Sequence, residues 1–186
     1  MTPLFESFLE SVIFWGTLAL YYVAILTWMA RTHARQGKKK PDLLPLVMLA
    51  FPIGIAIGYA RIGVLPHWLF FPGEVAFVVG TGFTLWSYSI LGQYVSPYVL
   101  ALPEHKIIQA GPYRYIRHPG YLGQIVAHVG LGLALQSWVA VVIMLAMMAG
   151  FAVYRIRNEE AFLGSELGDS YLSYMRTTKR FVPFVF

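Results

Sequence analysis

The sequence contains no cysteine and little charge. The absence of cysteine from all 186 residues excludes disulfide bonds, thiolate catalysis and cysteine metal sites. Charged residues make up 12% of the chain, about half the fraction found in a typical soluble domain. Apolar residues make up 58%, which is more than one small core can bury. The composition therefore predicts an integral membrane protein.

Five apolar segments predict an all-α protein with about five transmembrane helices. They cover residues 8–30, 43–62, 73–91, 121–135 and 138–154, and only Gln136 and Ser137 separate the last two, which should form a tight helical hairpin. The fourth segment rises only about 22 Å as a helix, less than the hydrocarbon core of about 30 Å. We therefore expect it to begin inside the membrane boundary, so that the preceding His118 region is drawn into the protein. Residues 1–9 lack lysine and arginine, which argues against a cleavable signal peptide.

The basic residues predict the orientation. Thirteen of the fourteen lysines and arginines fall in the loops after the first, third and fifth segments, and only Arg61 falls near the other side. Positive residues accumulate on the cytoplasmic side of membrane proteins. We therefore expect the N-terminus outside and the C-terminus in the cytoplasm. The net charge of +5 is explained by topology in this way, so we expect membrane lipids and no nucleic acid as partners.

Two polar clusters lie on the predicted cytoplasmic side, in residues 105–121 and 155–160. If the last two segments form a hairpin, His118 and Glu159 lie near the same end of neighbouring helices and face one pocket. Arginines and tyrosines at helix ends also serve as topology markers and interface anchors, which is the simpler interpretation of several of these side chains. Gln124 and His128 share one face of the fourth segment, where they either bond a neighbouring helix or line a pocket.

These residues resemble a known family. The string GPYRYIRHPGY at 111–121, the short hairpin, the string RIRNEE at 155–160 and the trailing tyrosine, arginine and Pro183 are similar to the isoprenylcysteine carboxyl methyltransferase family. The wider group includes the phospholipid N-methyltransferases. The resemblance covers residues 96–183, and the first three segments share only their hydrophobicity with the family. Because the sequence contains no repeats or low-complexity linkers, we expect one membrane-embedded domain over residues 1–186, with three spans in 1–95. The resemblance places the cofactor-binding half in 96–186.

The resemblance also implies S-adenosylmethionine as cofactor, with S-adenosylhomocysteine as product, in a cytoplasmic pocket that is open to a lipophilic or prenylated substrate. The family's cofactor contacts correspond here to His105, Lys106, Ile107, Ile108, Tyr113, His118, Pro119, Gly120, Tyr121 and Glu159. Arg155 corresponds to a catalytic position on the substrate side, and we place Gln124 and His128 on the substrate side as well. One departure is Tyr98, which stands where the family often has glutamine. No metal site is expected.

The residue types suit carboxyl methylation of an isoprenylcysteine or a similar carboxylate. A carboxylate acceptor is already ionised at pH 7, so Arg155 need only pair with it and orient it. An amine acceptor, as in a phospholipid N-methyltransferase, must first lose a proton, which gives Glu160 or His118 a role as base. The remaining alternatives are an NADPH-dependent sterol-type reductase, whose C-terminal region contains a string like RHPxY, and a non-catalytic membrane protein.

Overall fold

The computed structural model describes residues 4–33, 38–40, 49–96, 99–101 and 106–181. Within these ranges the chain is helical, as predicted, apart from one small sheet. The helices are α1 (Phe8–His33), α2 (Ala50–Tyr59), α3 (Phe70–Leu91), α4 (Pro119–Ala134), α5 (Trp138–Leu167) and α6 (Asp169–Thr177). Single turns of 3-10 helix cover His67–Leu69, Gly92–Tyr94 and Gly111–Arg114. The sheet, which the sequence did not predict, pairs β1 (Lys38–Lys40) antiparallel with β2 (Val99–Ala101), so that Lys39 lies opposite Leu100.

Three of the five predicted segments form helices that are long and apolar enough to cross a membrane. These stretches are Phe8–Trp28, His67–Tyr94 and Trp138–Leu167. The other two predicted segments contain shorter helices among the described residues, 10 residues in α2 and 16 in α4. Helix α4 begins at Pro119, since proline suits the first turn, where its missing N–H is not needed.

Helix α5 continues well past the apolar segment that ends at residue 154. Its 30 residues rise about 45 Å, more than the hydrocarbon core of about 30 Å. The helix stops where Gly168 adopts a positive φ of 56°, which glycine tolerates without strain. The additional turns continue the same helix beyond its apolar part, and they carry Arg155, Glu159 and Glu160.

Helices α3 and α4 pack with their backbones in close contact. A side chain at Gly80 would place its Cβ 2.5 Å from the backbone nitrogen of Ala127, and one at Gly130 would meet the nitrogen of Phe77 at 2.4 Å. Small residues permit such an approach between membrane helices. The Thr84 hydroxyl donates to the carbonyl oxygen of Gly120 at 3.2 Å, which fixes the start of α4 against α3.

The predicted hairpin between α4 and α5 is present. Gln136 takes a positive φ of 52°, and the Ser137 hydroxyl caps α5 by accepting from the backbone N–H of Ala140 at 3.1 Å. Val64 forms a β-bridge with Ser137, so the loop that contains Arg61 lies at this end of the molecule. The start of α4 and the charged turns of α5 therefore meet at the opposite end.

Candidate active site

A cavity lies between the end of α3, the start of α4, the charged turns of α5 and α6. Its volume is about 860 Å³ when the open space at its mouth is included. It is lined by nine of the residues that the sequence indicated: Lys106, Ile107, Ile108, Tyr113, His118, Gly120, Tyr121, Arg155 and Glu159. Pro119 is buried in the first turn of α4 between two of these residues. His105 and Tyr98 lie outside the described residues.

Glu159 and Arg155 stand one helical turn apart and both face the cavity. The Tyr121 hydroxyl donates to Glu159 Oε2 at 3.1 Å, and Arg155 Nε lies 3.8 Å from the same oxygen. Arg155 Nη2 also donates to the carbonyl oxygen of Ser96 at 3.0 Å. The Arg155 side chain is only 5% exposed, whereas that of Glu159 is 26% exposed. The cavity thus presents an accessible carboxylate beside a guanidinium that is shielded from bulk water.

Glu160 points in another direction and is not part of the cavity lining. Its carboxylate accepts from Arg117 Nε at 2.9 Å and from Arg180 Nε and Nη2 at 3.0 and 2.8 Å. His118 Nε2 lies 3.3 Å from Glu160 Oε1. An ionised carboxylate can only accept hydrogen bonds, so the Nε2 atom of His118 carries the proton that points to Glu160. The same imidazole ring lines the cavity. Glu160 is therefore fully engaged with protein groups.

Tyrosines from α6 form a wall that the sequence reasoning missed. Tyr171 and Tyr174 line the cavity, and the Tyr174 hydroxyl donates to the backbone oxygen of Tyr113 at 2.8 Å. Burial raises the pKa of Tyr174 to about 12, and it raises the pKa of Tyr113 and Tyr171 further, with a contribution from the negative charge of Glu159. All three hydroxyls therefore remain neutral at physiological pH. Their signal in the sequence is the spacing of three between Tyr171 and Tyr174, which places both on one face of a short helix.

Other wall residues that the sequence did not single out come from α3 and the end of α5. Tyr88 lines the cavity from α3, and its ring stacks on that of Trp28 with centroids 4.6 Å apart. Leu163 and Leu167 add apolar surface from α5. The cavity therefore combines a charged side with an aromatic and aliphatic side.

Gln124 and His128, which the sequence placed on the substrate side, are not brought to this cavity. The Tyr21 hydroxyl donates to Gln124 Oε1 at 3.1 Å, and His128 Nδ1 donates to the backbone oxygen of Gln124 at 2.7 Å. The His128 ring lies 4.5 Å from that of Phe51. These contacts join α4 to α1 and α2 deeper in the helical bundle.

Comparisons with known proteins place the site within a family. The model of the isoprenylcysteine carboxyl methyltransferase (ICMT) family matches residues 74–165, which include α3, α4 and the charged turns of α5. The Schizosaccharomyces pombe protein-S-isoprenylcysteine O-methyltransferase is 32% identical over 82 residues, which are 44% of this chain and 35% of that protein. Protein-S-isoprenylcysteine O-methyltransferase A of Arabidopsis thaliana is 36% identical over 82 residues, which are 44% of this chain and 42% of that protein. The matched residues thus cover less than half of the length of these curated relatives.

A solved structure shows the same fold. The eukaryotic intramembrane Ras methyltransferase ICMT superposes with a TM-score of 0.66 at 21% identity, covering 76% of this chain and 53% of that chain. At this identity the likeness concerns the arrangement of the helices. The family match covers most of the residues that line the cavity. Through residues 74–165, the chain belongs to the isoprenylcysteine carboxyl methyltransferase family.

Proposed function

We propose that this protein is an S-adenosylmethionine-dependent methyltransferase that esterifies the carboxylate of a lipophilic acceptor, such as an isoprenylated cysteine. The observation that carries the proposal is that Arg155, Glu159 and His118 line one cavity in the part of the chain that belongs to the family. The helices that hold this cavity include two of the three with the length and composition of membrane spans. A lipophilic acceptor can therefore approach it from the bilayer.

The described residues fit the cofactor. Glu159 is a partly exposed carboxylate that can accept hydrogen bonds from ribose hydroxyls or from an ammonium group. Ile107 and Leu163 offer apolar surface beside it, as expected for the ring of a nucleoside. When bound, the cofactor supplies an electrophilic methyl group on a sulfonium. Cofactor contacts by Lys106, Ile108, Tyr113, Gly120 and Tyr121 form part of this proposal.

Arg155 suits the acceptor carboxylate. A buried guanidinium offers two parallel N–H donors, and a hydrogen bond to a charged group is strong where water is excluded. Methyl transfer is a direct displacement that needs alignment and exclusion of water rather than covalent help from the protein. The engagement of Glu160 with Arg117, His118 and Arg180 leaves it no role as base, which favours an ionised carboxylate over an amine as acceptor. Contacts of Gln124 and His128 with the acceptor stay a prediction. Neither residue lines the cavity, so the cavity does not support it.

We extend the proposal to topology. It includes five passes through the membrane in a single domain, with the N-terminus outside and the cavity on the cytoplasmic side. Its support is that β1, which follows α1, pairs with β2, which follows α3, so two of the three basic loops meet at one end of the molecule. The Arg61 loop lies at the other end, beside the hairpin. Single cysteines introduced at the two ends, in a chain that has none of its own, test the orientation by labelling with a membrane-impermeant maleimide.

The function is tested with purified protein, S-adenosylmethionine carrying a labelled methyl group, and two acceptors offered separately. The acceptors are an S-farnesylated cysteine with a free carboxylate and vesicles that contain phosphatidylethanolamine. We expect label in a base-labile methyl ester of the first. Label in methylated headgroups alone would overturn the carboxylate assignment. Transfer to neither acceptor, together with no affinity for S-adenosylhomocysteine, would overturn the methyltransferase assignment.

A further inference from the structure

The residues that follow α5 close one side of the cavity. Residues 168–181, which we call the clasp, comprise the turn at Gly168, helix α6 and the extended stretch that ends at Phe181. Tyr171 and Tyr174 are the clasp residues that line the cavity. The match to the family model ends at residue 165, before the clasp begins.

The clasp is hydrogen-bonded along the backbone of residues 115–118, just before α4. The backbone N–H of Arg117 donates to the carbonyl oxygen of Lys179 at 2.7 Å, and that of His118 donates to Arg180 at 3.3 Å. In the other direction, the N–H of Lys179 donates to the oxygen of Tyr115 at 3.3 Å. The Arg117 side chain adds a bond from Nη1 to the carbonyl oxygen of Met175 at 3.0 Å. The end of the clasp therefore lies directly beside the cavity-lining His118.

A cluster of charges around the buried Glu160 carboxylate holds this arrangement together. Glu160 is 5% exposed and accepts from Arg117, which precedes α4, and from Arg180 of the clasp, whose side chain is 35% exposed. Arg180 Nε at 3.0 Å and Nη2 at 2.8 Å both donate to Glu160 Oε2, so two edges of the planar guanidinium converge on one oxygen. One carboxylate on α5 thus joins three parts of the chain that are distant in sequence.

We propose that Glu160 and Arg180 are positioning residues for the cofactor, acting as a latch that keeps the clasp closed so that Tyr171 and Tyr174 complete the cavity. The inference rests on the proposed function, because it concerns the same cavity. It goes beyond it by assigning the affinity for the cofactor to an ion pair that touches neither cofactor nor acceptor. In this arrangement the latch sets the fraction of molecules whose cavity is complete.

The test is calorimetric titration of the full chain in detergent with S-adenosylhomocysteine. Arg180→Met removes both bonds to Glu160, and we expect the affinity to fall at least tenfold. Arg180→Lys keeps the charge but loses the fork, so it should restore part of the affinity. Arg176→Met is the matched control, because Arg176 is an exposed arginine on α6, and its affinity should stay within twofold of wild type. Equal affinities for Arg180→Met and wild type, or equal losses for Arg180→Met and Arg176→Met, would overturn the latch.

A kinetic readout separates positioning from a general loss of structure. An opened clasp lowers the affinity for the cofactor but leaves the reacting groups in place once the cavity is filled. Arg180→Met should therefore raise the KM for S-adenosylmethionine at least tenfold and keep kcat at saturation within about threefold. A fall in kcat with an unchanged KM would show that the substitution reduces the folded fraction only, and would refute the positioning role.

Hydrogen exchange of the ligand-free protein distinguishes failure of the latch from failure of the proposed function. The latch predicts faster exchange of backbone amides within residues 170–181 in Arg180→Met, and in Glu160→Gln as a second variant, than in wild type or Arg176→Met. Unchanged exchange overturns the latch even if the cofactor binds. If wild type shows no affinity for S-adenosylhomocysteine, the cofactor assignment fails, while faster exchange in both variants still shows that the ion pair holds the clasp.

Discussion

Replacing Arg155 by lysine tests the proposed contact with the acceptor. Lysine keeps the positive charge on α5 but replaces the planar fork with a single ammonium group, so it cannot make two parallel hydrogen bonds to a carboxylate. The Arg155 side chain is 5% exposed, so water does not substitute for the lost bond. A hydrogen bond to a charged group contributes about 1.5–3 kcal/mol, which corresponds to a loss of roughly 10- to 150-fold in kcat/KM for the acceptor.

The measurement is initial-rate kinetics with a prenylated cysteine as varied substrate, accompanied by calorimetry with S-adenosylhomocysteine. The affinity for S-adenosylhomocysteine should stay within about threefold, because Glu159 rather than Arg155 is the proposed cofactor ligand. Arg157→Lys is the control, since Arg157 is exposed on the same helix only two residues further along. Unchanged acceptor kinetics in Arg155→Lys would refute the reasoning. A loss of S-adenosylhomocysteine affinity as large as the loss in kcat/KM would assign Arg155 to the cofactor instead.

Three further predictions concern helix packing, the cofactor and the bundle interior. Gly80→Ala should lower the free energy of unfolding by about 1–3 kcal/mol, because the new Cβ would lie 2.5 Å from the backbone of α4. Gly82→Ala is the control: its Cβ would have no atom within 4 Å, so thermal unfolding should show no loss of stability. Tyr121→Phe removes one hydrogen bond to Glu159, and calorimetry should show S-adenosylhomocysteine affinity reduced about fivefold, since such a bond contributes about 1 kcal/mol; wild-type affinity would contradict the assignment. Gln124→Leu should lower the melting temperature and leave the acceptor KM within twofold; a KM raised tenfold would place Gln124 in the acceptor site.

The sequence predicted the helices well where an apolar run or a proline marked where they begin or end. The hairpin follows from two apolar runs separated by only two polar residues, and the structure confirms it. The start of α4 follows from Pro119. The sequence did not predict the full length of α5. The apolar run ends at residue 154, but the helix continues for as long as its backbone hydrogen bonds do, which is until Gly168. The β1–β2 pairing joins residues about sixty apart in the chain, and no local pattern indicates it.

The hairpin between α4 and α5 predicted the charged side of the cavity, but the wall that α6 forms was not predicted. His118 and Glu159 could be placed together because the hairpin brings their helix ends together, and both do line one cavity. The family resemblance, and not the pattern of residues, selected Glu159 over its neighbour Glu160. In the structure the rotation of about 100° per helical residue turns Glu159 to the cavity and Glu160 to Arg180. The position of Gln124 in the sequence suits a pocket and a helix contact equally, because its bond with Tyr21 depends on the tertiary packing of α1.

The most direct test of the account is calorimetric titration of S-adenosylhomocysteine into the purified full chain and into Glu159→Ala. We expect one binding site in the wild type and an affinity at least tenfold lower in the variant. A carboxylate that accepts charged or multiple hydrogen bonds contributes about 1.5–3 kcal/mol to binding. Equal affinity in the two proteins, or no binding by the wild type, would contradict the central claim that this cavity holds the cofactor on Glu159.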